Sequence, residues 1–437
     1  FYRHTHDLED SSYGTQQFFH YFAYGVDALP NQPFTWDGEH YHNQITEEAR
    51  ISFDPWHNLS GTVGVFYSNT RARFFIPNTY MTGLAASGAW PTDLIWTQNN
   101  PGTQDDRSIF GELYYKFLDK FNLTIGARRY WLKQTTDYTA DGFINLGATP
   151  SSPQENHEQG VDPKAGLSYQ ASDALMVYAS ASKGFRAGGA QANFPACQLP
   201  GLPVNEIEHI KSDTLWSYEG GLKWQVPQTG LLLTGAGFHI NWDNLQQQVA
   251  LPCGFYLQLN GGSASINGGE MELSGRLSRE LEVRLGVGYE STSIVNPGAL
   301  AHAGITAGQE IPAVPVWTAT LGAFYTRPIN GRLDGFASAD YSYTGNSIAL
   351  LNGGLNSDGH GLFGSRAPYS LANLRFGVRH EKQELSLNFH NLGNAKPNLG
   401  DIGYVGYAQF EPDYKTPIPQ VATLQPFTVL IQYKNNF

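Results

Sequence analysis

The stretch Leu281-Glu282-Val283-Arg284-Leu285-Gly286-Val287-Gly288-Tyr289-Glu290 alternates without a slip. Leu281, Val283, Leu285, Val287 and Tyr289 share one face of an extended chain, and Glu282, Arg284, Gly286, Gly288 and Glu290 share the other. One face must meet something oily and the other something wet. About ten residues of period two is the length a strand needs to cross a bilayer in a closed barrel.

The same pattern recurs along the chain. Trp216, Tyr218, Leu222 and Trp224 are assigned to lipid, with Ser217, Glu219, Gly221 and Lys223 assigned to the lumen. Met271, Leu273 and Leu277 oppose Glu270, Glu272, Ser274 and Arg276; Leu374, Phe376 and Val378 oppose Asn373, Arg375 and Arg379; Leu385, Leu387 and Phe389 oppose Glu384, Ser386, Asn388 and His390. Trp317, Ala319, Leu321, Ala323 and Tyr325 form another lipid face with aromatic residues at both ends. The inward charges carry both signs, so they either pair along a solvated wall or hold a polar plug. Arg128 and Arg129 are adjacent, and one must break the alternation, at a bulge or where the strand leaves the membrane at its outer rim.

Counting alternating runs and turn signals predicts an all-β transmembrane antiparallel barrel of roughly sixteen strands. Short joins such as Asp119-Lys120, Pro227-Gln228-Thr229, Ser278-Arg279-Glu280 and Asn330-Gly331-Arg332 alternate with long ones near 78–107, 141–162, 184–212, 294–313, 345–367 and 395–426. Outer-membrane barrels sort their connections this way, with short turns on the periplasmic side.

Composition agrees. The 437 residues include Gly 48, Tyr 24, Phe 25 and Trp 9 but only Met 3 and Cys 2. Mean hydropathy is −0.34, and no run approaches the ~18 apolar residues of a membrane helix, as expected when only alternate residues face lipid. The net charge of −12 argues against nucleic acid as a partner. No leader segment opens the sequence at Phe1, which suggests that processing or truncation removed one.

Several motifs resemble those of TonB-dependent outer-membrane receptors. Leu175 to Gly189, containing Lys183-Gly184-Phe185-Arg186-Ala187-Gly188-Gly189 and followed by Asn193, is similar to that family's barrel signature. Ser217 to Lys223, Asn260 to Glu272, Gln44 to Ser52 and Asn388-Phe389-His390-Asn391-Leu392-Gly393-Asn394 resemble other strands and turns of the family. Phe437, preceded at alternate positions by Tyr433, Ile431, Val429 and Phe427, is similar to the terminal signal read by the barrel assembly machinery; Asn435 departs from it. Members carry a TonB box and a globular plug ahead of the barrel, and nothing here corresponds to either. The resemblance therefore implies that 1–437 is the C-terminal portion of a barrel of about 22 strands, with the plug and first strands missing. It implies uptake of a scarce nutrient, with a ferric siderophore ahead of saccharide, haem or cobalamin, energised by the TonB complex acting through the missing plug. Outer-membrane lipid and lipopolysaccharide would surround it.

Candidate ligand contacts are Arg186, Asn193, Phe194, Tyr256 and Tyr407, drawn from the signature exit and the aromatic-rich outer loops. The loops also carry Tyr80, Trp90, Trp96, Phe143, Phe255, Phe363, Tyr404, Phe410 and Tyr414, which either anchor in the headgroup zone or stack on a ligand. For Arg186 the alternative is loop packing or a contact with lipopolysaccharide. Cys197 and Cys253 fall in adjacent outer loops, so a disulfide is expected in preference to two free thiols. His4, His6, His20, His40, His42 and His57 are read as solvated wall residues rather than a metal site, and no cofactor is expected. No G-x-S-x-G, H-E-x-x-H or P-loop pattern is present, so no enzymatic activity is expected. The competing readings are a passive sixteen-stranded porin, a membrane-embedded hydrolase and a surface adhesin.

Overall fold

A computed structural model describes residues 2–10, 35–88, 90–143, 145, 147–191, 201–250, 256–349, 351, 365–402 and 420–435. Sixteen wall strands follow in chain order. They are β1 (Tyr2–Asp10), β2 (Thr35–Trp56), β3 (Leu59–Tyr80), β4 (Leu94–Phe117), β5 (Phe121–Thr136), β6 (Gln154–Ser172), β7 (Leu175–Arg186) and β8 (Asp213–Val226). Then come β9 (Leu231–Asp243), β10 (Ser263–Arg276), β11 (Leu281–Asn296), β12 (Trp317–Asn330), β13 (Leu333–Thr344), β14 (Tyr369–His380), β15 (Gln383–His390) and β16 (Thr428–Asn435). Each pairs antiparallel with the next, and Thr139–Asp141 adds a short segment beside β4. Among the described residues no pairing joins β16 to β1. The fold is the all-β membrane barrel wall expected from the alternation.

One end of the sheet carries only tight turns. His57 and Asn58 adopt positive φ (48° and 70°) between β2 and β3, and Leu118 and Asp119 do the same (48° and 56°) between β4 and β5. Paired positive-φ residues match the twist of adjoining strands. The other end carries every long connection. Strands here run further than the sequence pattern suggested. The region 94–107, expected as loop, is the start of β4 and pairs with β3 as far out as Leu94 opposite Tyr80. The hairpin ladders therefore extend well beyond any bilayer.

The burial pattern is inverted relative to a soluble strand. In β15, Glu384, Ser386 and Asn388 are buried, whereas Leu385 is 50% exposed. Leu321, Leu374, Phe376 and Met271 are likewise exposed. Register aligns the apolar positions into a continuous outward-facing row: Leu175, Trp224, Leu233, Leu273, Leu285, Leu321 and Tyr341 lie side by side across seven strands. From Leu281 to Tyr289 the strand advances roughly 27 Å, or about 20 Å once a barrel tilt is allowed for, which approaches the apolar band of a membrane barrel. Tyr289 meets Trp317 at the upper edge (centroids 4.7 Å). Tyr115, Phe117, Phe121 and Tyr169 stack in series near the turn end. These are the two aromatic girdles.

Side chains on the opposite face converge, as they must on the concave side of a barrel. Lys164 reaches Glu112 at 3.0 Å although β5 lies between them. The intervening residue is Gly126, whose Cβ would lie 3.3 Å from the Glu112 side chain. Arg375 and Arg379 both pair with Glu384, the latter at 2.7 Å, and both guanidinium groups lie over Phe336. Arg128 pairs inward with Asp106 at 3.2 Å. Neither pairing of β5 shows a register shift, so the adjacent arginines do not mark a bulge. Arg129 lies on the lipid-facing side, donates to Gln159 at 2.7 Å and lies over Trp131. The rim explanation is therefore the one observed.

A belt of this kind makes a direct prediction. Leu285→Arg should cost about 2–4 kcal/mol of folding stability in lipid vesicles, whereas Thr320→Arg, one residue from the belt but facing the lumen, should cost little. Urea unfolding followed by tryptophan fluorescence measures both.

Candidate functional site: the outer mouth and the lumen wall

Above the belt the alternation changes meaning. On β9 to β11 the outward positions become polar: His239, Asn241, Ser265, Asn267, Ser291 and Ser293. The inward ones become apolar: Ile240, Trp242, Ala264, Ile266 and Ile294. Here the strands have left the hydrocarbon, so water meets the outer face and the inner face acquires its own core. Leu245, Ala264, Ile266 and Ile311 are buried there against Phe238, Ile240 and Trp242. A second core collects Leu202 and Ile207, Val249, Leu257 and Leu259, Leu300 and Ile305, and Leu351. These residues come from four successive outer connections, which share one packed interior. A further group, Ile76, Met81, Leu84 and Ile95, is fully buried at the top of β3 and β4.

The signature residues secure this mouth. Arg186 donates to the Asp213 carboxylate from Nη2 at 2.5 Å and from Nε at 3.1 Å, and to the Gln246 carbonyl at 2.6 Å. Its guanidinium lies over Trp242. Asp213 is 1% exposed and also accepts the Gln246 N–H at 3.0 Å. The Gln246 amide in turn donates to the carbonyls of Arg186, Ala187 and Lys211. Gly188 sits where a Cβ would fall 2.1 Å from the Ile210 carbonyl, so the first glycine of the Gly-Gly pair is a steric requirement. Glu158 fastens the base of the same connection by accepting the Ser212 N–H and hydroxyl. Asn260 bonds both backbone groups of Lys211. Near the chain's end, Asn391 and Asn394 take positive φ (51° and 47°). Asn391 donates to the Ala395 and Gln425 carbonyls, and Asn394 accepts the Phe427 N–H. These motifs are fasteners for connections.

Of the expected ligand contacts, Arg186 is committed to Asp213 and Gln246, with about half of its side chain exposed. Tyr256 begins the strand Tyr256–Asn260, opposite Ala250. Asn193, Phe194 and Tyr407 lie outside the described residues, as do Cys197, Cys253 and Phe437. Phe143 is buried and meets Trp90 edge-on at 5.7 Å, so this aromatic pair serves packing. Tyr138, between β5 and the Thr139 segment, is half-buried, and that burial pushes its phenol up to about 12. His40 and His42 face Thr5 and Arg3 in register, one residue out of phase with His4 and His6. Among the described residues no group of three histidine, cysteine or acidic side chains is arranged for a metal ion.

Below the mouth, the lumen wall carries a hollow of about 700 Å³ lined by Tyr178, Lys223, Glu270, Glu272, Arg284 and Thr320. Gly286 and Gly288 make the hollow, because a Cβ at either would lie 2.8 Å from a threonine hydroxyl of β12. Glu219 accepts the Tyr178 hydroxyl at 2.6 Å, and Arg284 pairs with Glu282 at 2.9 Å. Lys223, Glu270 and Glu272 make no ion pair among the described residues. The sequence pattern found these charges, but the apolar core above them was missed. The signal was present in Ser265-Ile266-Asn267 and Ser291-Thr292-Ser293-Ile294, where polar and apolar residues exchange faces.

A lipid-belted wall, a charged lumen and a mouth of interlocked loops define an outer-membrane β-barrel. A family model described as TonB dependent receptor-like, beta-barrel matches residues 1–392, and the chain belongs to that family. The Ferric-pyoverdine M114 receptor PbuA of Pseudomonas sp. (strain M114) is 26% identical over 303 residues, covering 68% of this chain and 33% of that protein. The ferric yersiniabactin uptake receptor FyuA from Yersinia pestis superimposes with a TM-score of 0.71 at 15% identity, covering 92% of this chain and 55% of that one. The Ferric-Catecholate import receptor Fiu from E. coli K12, in its closed form, gives a TM-score of 0.63 at 20% identity, with 93% and 56% covered. The chain thus spans about half the length of these structures and a third of the pyoverdine receptor. Its place is the bacterial outer membrane.

Arg186→Ala would strand the Asp213 carboxylate in a buried site. Losing one partner of such a pair should cost about 3–5 kcal/mol, concentrated in the connections at 187–212 and 244–262. Limited proteolysis of intact cells should cut those segments faster in the variant and leave the short turns untouched.

Proposed function

We propose that the chain forms the barrel wall of an energised importer, with a globular plug held in its lumen and TonB acting through that plug. The observation that carries this reading is the set of unpaired charges on the lumen wall. Lys223, Glu270 and Glu272 border a roomy hollow and are exposed to it, so their charges are open to a further surface seated in the lumen. A polar domain seated against them supplies counter-charges and hydrogen bonds. The mouth above is suited to capture, because its connections share a rigid core and can present a preformed surface.

The transported nutrient in this reading is a ferric siderophore. Support comes from the relatives, which are transport receptors for ferric pyoverdine, ferric yersiniabactin and ferric catecholates. Ligand contact is assigned to the outer connections that hold Arg186, Asn193, Phe194, Tyr256 and Tyr407. The Cys197–Cys253 disulfide is kept as part of the same reading. The barrel itself performs no covalent chemistry.

A passive porin would need an open polar constriction. The connection 297–316 does fold onto the inner wall, where Ile311 N–H bonds Thr292 at 2.8 Å and Gly308 N–H bonds the Ile294 carbonyl at 2.8 Å. What it brings there is Leu300, Ile305 and Ile311, an apolar packing rather than a wetted eyelet.

Cells expressing the protein in a receptor-deleted background should accumulate iron-55 from a ferric siderophore, and loss of TonB should abolish that uptake. Uptake that survives TonB deletion, accompanied by steady ion conductance in planar bilayers, would establish the porin instead.

A further inference from the structure

The lumen wall is not uniform around its circumference. Two sectors are interlocked. On β4 to β7, Lys164 pairs with Glu112 and Arg128 with Asp106, and Tyr130 crosses Gly160 to stack on Phe185. On β13 to β15, Arg375 and Arg379 close on Glu384 over Phe336. Networks of this kind fill the space in front of the wall and rigidify it.

The sector from β8 to β12 is built differently. Two consecutive inward rows cross it in register: Gly221, Ala236, Glu270, Gly288 and Thr318, then Lys223, Thr234, Glu272, Gly286 and Thr320. Apart from the three charged residues, nothing in either row is larger than threonine. These rows floor the hollow of about 700 Å³. Arg284, on its turn side, is drawn to Glu282 of its own strand, and Tyr178 leans over Gly221 toward Glu219. Lys223, Glu270 and Glu272 keep no ion pair among the described residues. The hollow lies at the depth of the lipid belt, since Leu285 and Val287 occupy the opposite face of β11. Above it the connection 297–316 packs on the inner wall through Gly308 and Ile311.

The result is a roomy compartment with a partly charged lining, halfway through the membrane and below the packed mouth. Its volume falls within the range of about 300–1,000 Å³ that holds small molecules. A passage must bind its cargo well enough to admit it and weakly enough to release it. Glycine, threonine and a few charges of both signs meet that need better than interlocked arginines and aromatic rings. We propose that this recess is a transit site, where the metal chelate passes the lumen domain along β8 to β12 with its polar periphery on Lys223, Glu270, Glu272 and Thr320. The interlocked sectors stay closed throughout. The inference rests on the importer reading above and adds to it the side of the wall that the cargo follows.

The test sets the same substitution in two sectors of the whole receptor, lumen domain included. T320F places a ring in the recess, and T124F places one on β5, beside Gly166 and outside the recess. Cells lacking other receptors are offered iron-55 as ferric pyoverdine, ferric yersiniabactin or a ferric catecholate, the cargoes named for the relatives. Binding is read in cells without TonB and uptake in cells with it. T320F should bind as the unmodified protein does, keep its thermal midpoint and lose most of its uptake. T124F should keep all three. Undiminished uptake in T320F overturns the proposal, and so does an equal loss in T124F. A lower thermal midpoint or weaker binding in T320F also overturns it, because the recess would then be a seat filled by the lumen domain. Where T320F does not assemble, T320C is folded first, capped with a bulky aromatic thiol reagent and judged by the same outcomes. If the unmodified protein takes up none of the three chelates with TonB present, the siderophore reading itself fails, and this inference with it.

Discussion

Hydrocarbon offers no hydrogen-bond partner to a peptide group, and that constraint governs the rest of this molecule. Every wall strand must pair with a neighbour through the bilayer, so the sheet is antiparallel and continuous from β1 to β16. Once pairing is fixed, side chains can only alternate. The fold therefore needs a polar residue at each second position and an apolar one between, which is why buried Glu384, Ser386 and Asn388 interleave with exposed Leu385. The same constraint explains the glycine content. Where inward side chains crowd a concave wall, a neighbour must give way. Tyr130 crosses Gly160, where a Cβ would lie 2.4 Å from its hydroxyl, to stack on Phe185 at 3.7 Å.

Where the strands leave the membrane, the constraint relaxes and the chemistry of the two faces exchanges. The outer face of β9 to β11 becomes polar, and the inner face closes around connections that share a hydrophobic core. The Arg186–Asp213–Gln246 network sits at this boundary and fixes the hairpin formed by Gln246–Ala250 and Tyr256–Asn260 to the wall. Capture of a ligand at the mouth would thus begin from a surface already assembled. In the proposed function, the lumen charges below would meet a plug that transmits work from the inner membrane.

The wall was legible in the sequence because period two, turn chemistry and belt aromatics are local signals. The facing of Leu285, Leu321 and Leu387, the number of strands and the placement of the tight turns follow from them. The outer ends of the hairpins were less legible. Residues 94–107 carry Asn99, Asn100, Pro101 and Gly102, which read as loop, yet cross-strand pairing with β3 overrides that local preference. The role of Arg186 was also beyond local reading, since its partners Asp213 and Gln246 are 27 and 60 residues away in sequence. The mouth's apolar core was missed for a different reason. Period-two alternation assigns polar residues inward along a whole strand, whereas Ile240, Ile266 and Ile294 are inward and packed in apolar clusters above the belt.

The central claim is the facing of the alternating side chains, and site-directed spin labelling tests it most directly. Nitroxides placed one at a time along 281–290 in protein reconstituted into lipid vesicles would be read for collision with oxygen and with a polar nickel chelate. The account predicts strict alternation, with oxygen favoured at 281, 283, 285, 287 and 289 and the chelate favoured at 282, 284, 286, 288 and 290. Oxygen access that varies smoothly along the segment, or an inverted phase with Leu285 shielded and Glu282 in lipid, would contradict it.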